Sequence, residues 1–310
     1  MLKGKDLISI HNLSADEVYE ILDFAADLKV MQKNGIPHRY LEGKTLGMIF
    51  EKSSTRTRVS FEVGIFQLGG TGLFLSNKDL QLGRGEPIKD TARVLSRYLD
   101  GIMIRTYGHD RILELAKYSN VPVINGLSDL LHPCQVLTDL LTIREHKGKN
   151  FRSLKMAYVG DGNNMTNSYL YGAAKVGMNL TVATPANYKP NAEVFENALT
   201  DAEETKAELV WTENPVDAVK DADIIATDTW ASMGQEAEHD ERKKIFAPYQ
   251  VNAELLKHAS KNAIVLHCLP AYRGEEITDE VFENNAHVIF EEAENRLHTQ
   301  KAIMALTMTD

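Results

Sequence analysis

From residue 44 onward, short apolar runs of strand length alternate with segments of helical periodicity, and this alternation constrains the fold more than any other feature. Lys44-Thr-Leu-Gly-Met-Ile-Phe50 reads as a strand, and Val59 to Leu68 repeats with a helical period. Further strands are predicted at 71–75, 101–105 and 121–124, with helices at 89–99, 110–119 and 134–146. Past Gly148 the pattern restarts. Strands at 155–159, 179–183, 208–212, 223–227, 263–267 and briefly 287–290 alternate with helices at 166–177, 191–204, 215–221, 252–260 and 278–284. A closing helix begins near residue 293. Ahead of all this, Ser14-Ala-Asp-Glu17 has the form of a capping box before the stripe Val18, Ile21, Leu22 and Ala25. Alternation without long hairpins predicts an α/β fold of two doubly wound domains, each with a central parallel sheet flanked by helices.

At 310 residues the chain is long for one core, which agrees with two domains. The H-K-G-K-N-F-R segment at 146–152 is the expected boundary, giving domains at 1–147 and 148–292, with the helix 293–310 packing back on the first. No segment reaches the run of about 18 apolar residues that a membrane helix needs, so no membrane partner is expected. The amino terminus lacks the pattern of an export signal, and the two cysteines, Cys134 and Cys268, are far apart. Both readings place the chain in a reducing cytoplasm.

Ligands of open parallel sheets bind beyond the carboxyl ends of strands, which directs attention to the loops 51–58, 76–88, 105–109, 125–135, 160–167, 228–236 and 267–275. The first of them, E-K-S-S-T-R-T-R, concentrates Lys52, Arg56 and Arg58 in a chain of net charge −10. So acidic a chain is a poor general partner for nucleic acid, and any anion must be met locally. Ser54, Thr55, Arg56 and Thr57 at a helix start place amides, hydroxyls and a guanidinium around one point, a phosphate-binding arrangement. The alternative is an ordinary Ser/Thr cap with solvated arginines. Arg105 ends an apolar strand and faces either a crevice or a surface ion pair. In His132-Pro-Cys-Gln135, a neutral imidazole can donate to a carbonyl oxygen while the glutamine amide oxygen accepts from an amine or amide, a pair that reads a urea-like or carbamoyl group; the alternative is a histidine that simply shapes the turn before the proline.

S-T-R-T-R-x-S-F-E after the first strand, the strand-ending Arg105, the H-P-x-Q loop and the two-domain alternation together resemble the aspartate/ornithine carbamoyltransferase family, over nearly the whole chain. The resemblance implies that the first domain holds carbamoyl phosphate through Ser54, Thr55, Arg56, Thr57, Gln81, Arg105, the loop His132, Pro133, Cys134 and Gln135, and Arg296, with Gln81 reaching over from a neighbouring subunit. Cys134 carries no functional weight of its own in this reading. Asp228-Thr-Trp-Ala-Ser-Met-Gly is similar to the ornithine branch, which implies that Asn164, Asp228, Ser232 and Met233 bind L-ornithine. H-C-L-P at 267–270 points the same way, and Cys268 and Leu269 are assigned to the carbamoyl phosphate site as well. The implied reaction is carbamoyl transfer to the δ-amine, with Arg56, Arg105, His132 and Cys268 as catalytic residues and with no metal or organic cofactor. A homotrimer or a multiple of trimers is implied too. Three competing readings stand beside it: a dinucleotide enzyme, disfavoured because G-D-G-N-N-M lacks the third glycine; a putrescine carbamoyltransferase, which has no need of Asn164 and Asp228; and a catalytically silent binding protein.

Overall fold

The computed structural model describes residues 2–77, 80–231 and 236–309, apart from the side chains of 83, 84 and 236. Two parallel sheets organise the chain. The first contains β1 (Thr45–Phe50), β2 (Thr71–Ser76), β3 (Gly101–Arg105) and β4 (Val123–Leu127), in the order β2-β1-β3-β4. The second contains β5 (Lys155–Val159), β6 (Asn179–Ala183), β7 (Leu209–Thr212), β8 (Ile224–Thr227) and β9 (Ile264–His267), in the order β7-β6-β5-β8-β9. Strands β3, β4, β8 and β9 are buried along their whole length, as expected where helices cover both faces of a parallel sheet.

Helices precede, connect and follow the strands. They are α1 (Ala15–Lys33), α2 (Thr55–Gln67), α3 (Ile88–Leu95), α4 (His109–Tyr118), α5 (Pro133–Lys147), α6 (Asn164–Val176), α7 (Ala192–Thr205), α8 (Pro215–Val219), α9 (His239–Phe246), α10 (Ala253–Leu256), α11 (Asp279–Asn284) and α12 (Ala286–Met308). The predicted capping box is formed: Ser14 accepts from the Glu17 amide, and the Glu17 carboxylate accepts from the Ser14 amide. The chain divides into two compact units, Met1–Leu141 with Asn295–Asp310, and Thr142–Glu294, so both division points fall inside helices, α5 and α12. Each unit has its own apolar core. In the first, Ile49, Ile102, Ile104 and Val123 of the sheet meet Ala92, Ile112 and Leu115 of α3 and α4. In the second, Ala157, Ile225 and Val265 meet Ala218, Val219, Val281 and Phe282.

Two expectations are corrected. Residues 287–290 are not a strand but the first turn of α12, because Val288, Ile289, Glu292, Asn295 and Arg296 are buried at helical spacing while Phe290 is exposed. The helix expected at 252–260 is the four-residue α10. One helix, α9, was not foreseen. Its sequence H-D-E-R-K-K-I-F buries only Arg242 and Phe246, too few apolar positions to show a stripe.

Candidate active site

In the first unit, β2 lies on one side of β1 and β3 on the other, so the chain reverses its winding between β1 and β3. Phe50 pairs with Arg105, and Arg105 in turn pairs with Leu127 after a register shift, which brings the loops following β1, β3 and β4 side by side. Ligand binding at such a reversal is the rule for open α/β sheets. Ser54 caps α2, its hydroxyl oxygen accepting from the Thr57 amide at 3.2 Å and its O–H donating to Thr57 Oγ1 at 3.1 Å. Thr57 is fully buried, Arg56 half-buried and Thr55 exposed. Arg58 is a surface residue, paired with Glu62 and lying over the Phe74 ring, and it fulfils the plain reading of a solvated arginine.

Arg296, on α12, ties this helix start to the H-P-C-Q loop. Its Nη2 donates to Thr57 Oγ1 and its Nη1 to Gln135 Oε1, both at 2.7 Å. Gln135 also donates from Nε2 to Asp139 at 2.8 Å, so its amide is held at both ends. His132 is buried. Burial, reinforced by the positive charges of Arg296, Arg105 and Lys52, holds its imidazole well below the usual histidine range, so it is neutral. Pro133 opens α5. The Cys134 thiol donates to the Asn125 carbonyl at 3.4 Å, and burial pushes it up to about 12, the behaviour of a packing residue. Gln81 stands apart from these hydrogen bonds, exposed on the turn after the edge strand β2.

In the sequence Lys52 stands out only as one cation of the basic stretch. It is buried, donates to Asp129 at 3.1 Å and lies 5.0 Å from the Tyr107 ring centre, linking all three loops. Behind it Glu51 accepts from Arg111 Nε at 3.0 Å and from the Thr106 hydroxyl. This buried carboxylate fixes the neighbours of both Lys52 and Arg105.

In the second unit the winding reverses between β5 and β8, where the loops carrying Asn164 and Asp228 emerge. Gly162 is required there: a Cβ would sit 2.3 Å from the Tyr188 carbonyl oxygen, and its amide donates to that oxygen at 3.0 Å. The glycine answers to this close approach and not to a dinucleotide. Asn163, whose place the sequence alone does not single out, caps α6 through the amides of Met165 and Thr166 and donates from Nδ2 to Asp228 Oδ2 at 2.9 Å. Asn164 follows as the first helical residue. The other oxygen of Asp228 accepts from the Thr229 amide at 2.8 Å and from the Cys268 thiol at 3.3 Å. Asp228 is thus fixed as an acceptor directly beside the cysteine. Ser232 and Met233 lie outside the described residues.

The H-C-L-P turn is braced from beneath. The Leu269 amide donates to His267 Nδ1 at 3.0 Å, so Nε2 carries the proton and donates to the buried Glu276 at 2.9 Å. Leu269 has a positive φ of 61°, and the Leu269-Pro270 bond is cis. Among the described residues, no group of three or more His, Cys, Asp or Glu side chains is placed to hold a metal.

Residues 5–145 match the profile for aspartate/ornithine carbamoyltransferase, carbamoyl-P binding domain, and residues 152–307 that for aspartate/ornithine carbamoyltransferase, Asp/Orn binding domain. A protein of Carboxydothermus hydrogenoformans named ornithine carbamoyltransferase is 58% identical over 99% of this chain and 98% of its own. A protein of Pyrococcus furiosus named ornithine carbamoyltransferase, anabolic, is 54% identical over 99% and 97%. The solved structure of the ornithine carbamoyltransferase from Pyrococcus furiosus superposes with a TM-score of 0.96 at 54% identity, covering 99% of this chain and 98% of that one. The enzyme of the same name from Thermus thermophilus gives 0.86 at 37% identity, over 98% and 99%.

Proposed function

The chain belongs to the aspartate/ornithine carbamoyltransferase family, and from that premise we propose that it transfers the carbamoyl group of carbamoyl phosphate to the δ-amine of L-ornithine, giving L-citrulline and phosphate. The observation that carries the choice of amine is the Asp228 carboxylate, oriented by Asn163, the Thr229 amide and the Cys268 thiol. A fixed anion of this kind meets the α-ammonium, and Asn164 at the start of α6 serves the amino-acid end that putrescine lacks.

In this reading the first unit binds carbamoyl phosphate. Ser54, Thr55, Arg56 and Thr57 hold the phosphate at the start of α2, where orphan amides and the helix dipole favour an anion. Arg105, Thr57 and neutral His132 face the carbonyl oxygen, and Gln135 accepts from the carbamoyl amine. A neutral imidazole suits this task, since it donates one hydrogen bond to an oxygen that gains negative charge only as the reaction proceeds. Gln81 completes the set from a neighbouring subunit.

The second unit binds ornithine through Asn164, Asp228, Ser232 and Met233. A lysine-like amine starts protonated, with an ordinary pKa of about 10.4, so the δ-ammonium must lose a proton before attack. Cys268 and the Leu269 carbonyl fix the neutral amine. Its lone pair forms the C–N bond, the carbon–oxygen bond to phosphate breaks, and phosphate leaves with the electron pair. The attacking nitrogen then sheds its second proton.

The finer parts of the reading are a homotrimer or multiple of trimers, a cytoplasmic setting and the biosynthetic direction toward arginine. The anabolic name of the Pyrococcus furiosus relative supports the direction. The test is citrulline formation from carbamoyl phosphate with L-ornithine, putrescine, L-aspartate and N-acetyl-L-ornithine in parallel, beside an Arg56→Ala control. Turnover selective for ornithine and lost in the control is expected. Preference for putrescine would overturn the assignment of Asp228, and no turnover with any amine would leave a binding protein.

A further inference from the structure

Helix α9 follows the Asp228 loop and is rich in charge, yet its Arg242 is buried. The guanidinium lies 4.8 and 5.1 Å from the ring centres of Tyr188 and Phe246. Its Nε donates to the Trp230 carbonyl, its Nη2 to the Asp161 carboxylate, and Glu238 lies 3.6 Å from Nη1. Trp230 is two residues past Asp228, and Asp161 is two residues before Asn163. One side chain therefore grips both loops that position the Asp228 carboxylate.

The same helix reaches a third loop. His239 Nε2 lies 3.1 Å from one oxygen of Glu275, and Lys243 donates to the other at 3.1 Å. Gln250 secures the backbone at the same place, donating to the carbonyls of Gly274 and Glu275. This loop starts at Cys268 and Leu269 and is pinned at its far end by Glu276, which accepts from the Tyr272 amide and pairs with His267.

We propose that α9 is a bracket coupling the Asp228 loop to the Cys268 loop, with Arg242 as a positioning residue for recognition of the amino-acid substrate. The inference rests on the reading of this unit as the ornithine-binding one. Every described donor of Arg242 faces protein, so it acts through Trp230 and Asp161 and not by contact with substrate. A lysine at 242 supplies a point charge but not the fork that serves two acceptors.

The experiment compares Arg242→Lys, Glu275→Gln and the double variant in steady-state kinetics. The Glu275 side chain is 16% exposed and its change to glutamine preserves volume and shape, so the variant removes the charge without opening a cavity. A substrate-binding group displaced by a fraction of an ångström loses affinity steeply, so KM for ornithine is expected to rise about tenfold in Arg242→Lys, less in Glu275→Gln, with kcat and the KM for carbamoyl phosphate nearly unchanged. Coupling predicts that the double variant falls short of the product of the single effects. Equal rises in both KM values, or effects that simply multiply, would overturn the bracket. Hydrogen exchange of wild type and Glu275→Gln tests it without any turnover: lost protection at both 228–231 and 268–271 is expected, and loss confined to 268–271 refutes it. Absence of ornithine turnover in the wild type, by contrast, counts against the functional reading and leaves the exchange result to decide the bracket.

Discussion

Charge decides the roles of individual residues here. His132 is held neutral by burial and by Arg296, Arg105 and Lys52, so it is a hydrogen-bond donor throughout the neutral range and not a titrating acid. A histidine whose folded pKa is depressed binds more protons when unfolded. Its contribution to stability therefore rises with pH between the depressed value and the ordinary 6.5, and is constant above. Two outcomes follow: the pH profile of kcat has no limb near 6.5 from this residue, and His132→Asn flattens the acid side of the stability curve measured by urea unfolding. The same substitution should lower kcat by about 100- to 1,000-fold, the usual effect of losing one donor to a developing oxyanion. The two cysteines separate in the same way. Cys134 is buried with its thiol near 12 and stays protonated, whereas Cys268 is half-buried beside Asp228. Mass spectrometry after iodoacetamide treatment of the folded protein at pH 8 should find Cys134 unmodified, with any label confined to Cys268.

At the level of elements, turns carry as much of the arrangement as strands do. Gly162 is the clearest case, because an alanine there meets the Tyr188 carbonyl and the Lys189 backbone within 2.5 Å. Gly162→Ala is expected to destabilise the protein by at least the about 1–3 kcal/mol typical of overpacking, and to weaken ornithine binding by shifting Asn163. Denaturant midpoints and ornithine KM check the two parts. The elements themselves were largely legible: continuous apolar runs such as G-I-M-I-R became buried parallel strands, and S-A-D-E became the cap of α1. Residues 287–290 were misread because H-V-I-F is β-branched and short, and only the burial stripe along the following turns shows it to be helical. α9 gives no stripe in the sequence, since the contacts that hold it are made largely by Arg242, His239 and Lys243. Among the proposed binding residues, those at helix starts after strands stand out in the sequence, because that position has a fixed chemical meaning. Asn163 was overlooked in favour of its neighbour although a doubled asparagine before a helix signals a cap. Arg242, Glu276 and the buried role of Lys52 left no signal, since their partners are distant in sequence and only the fold brings them together.

The whole molecule divides its proposed ligands between two units. Apart from Cys268 and Leu269, every residue assigned to carbamoyl phosphate belongs to the first unit, while Asn164 and Asp228 belong to the second. A chain of net charge −10 must supply the attraction for this dianion from Arg56, Arg105 and Arg296 and from the amides at the start of α2, because its overall field is repulsive. Binding to the folded state alone adds RT ln(1 + [L]/Kd) to its stability, about 2.7 kcal/mol at a ligand concentration one hundred times Kd. Carbamoyl phosphate is thermally labile, so the increment is best read from urea unfolding at 25 °C, following a probe in the first unit. It should disappear in Arg56→Ala, where the helix start keeps its Ser54 cap but loses its half-buried cation, and persist in Asp228→Asn, where the second unit loses the anion but the phosphate ligands are untouched. Loss of the increment in Asp228→Asn would mean that the partition is wrong and that the acidic residue takes part in holding carbamoyl phosphate. Its survival in Arg56→Ala would move the phosphate away from the start of α2, to the other cations gathered around His132.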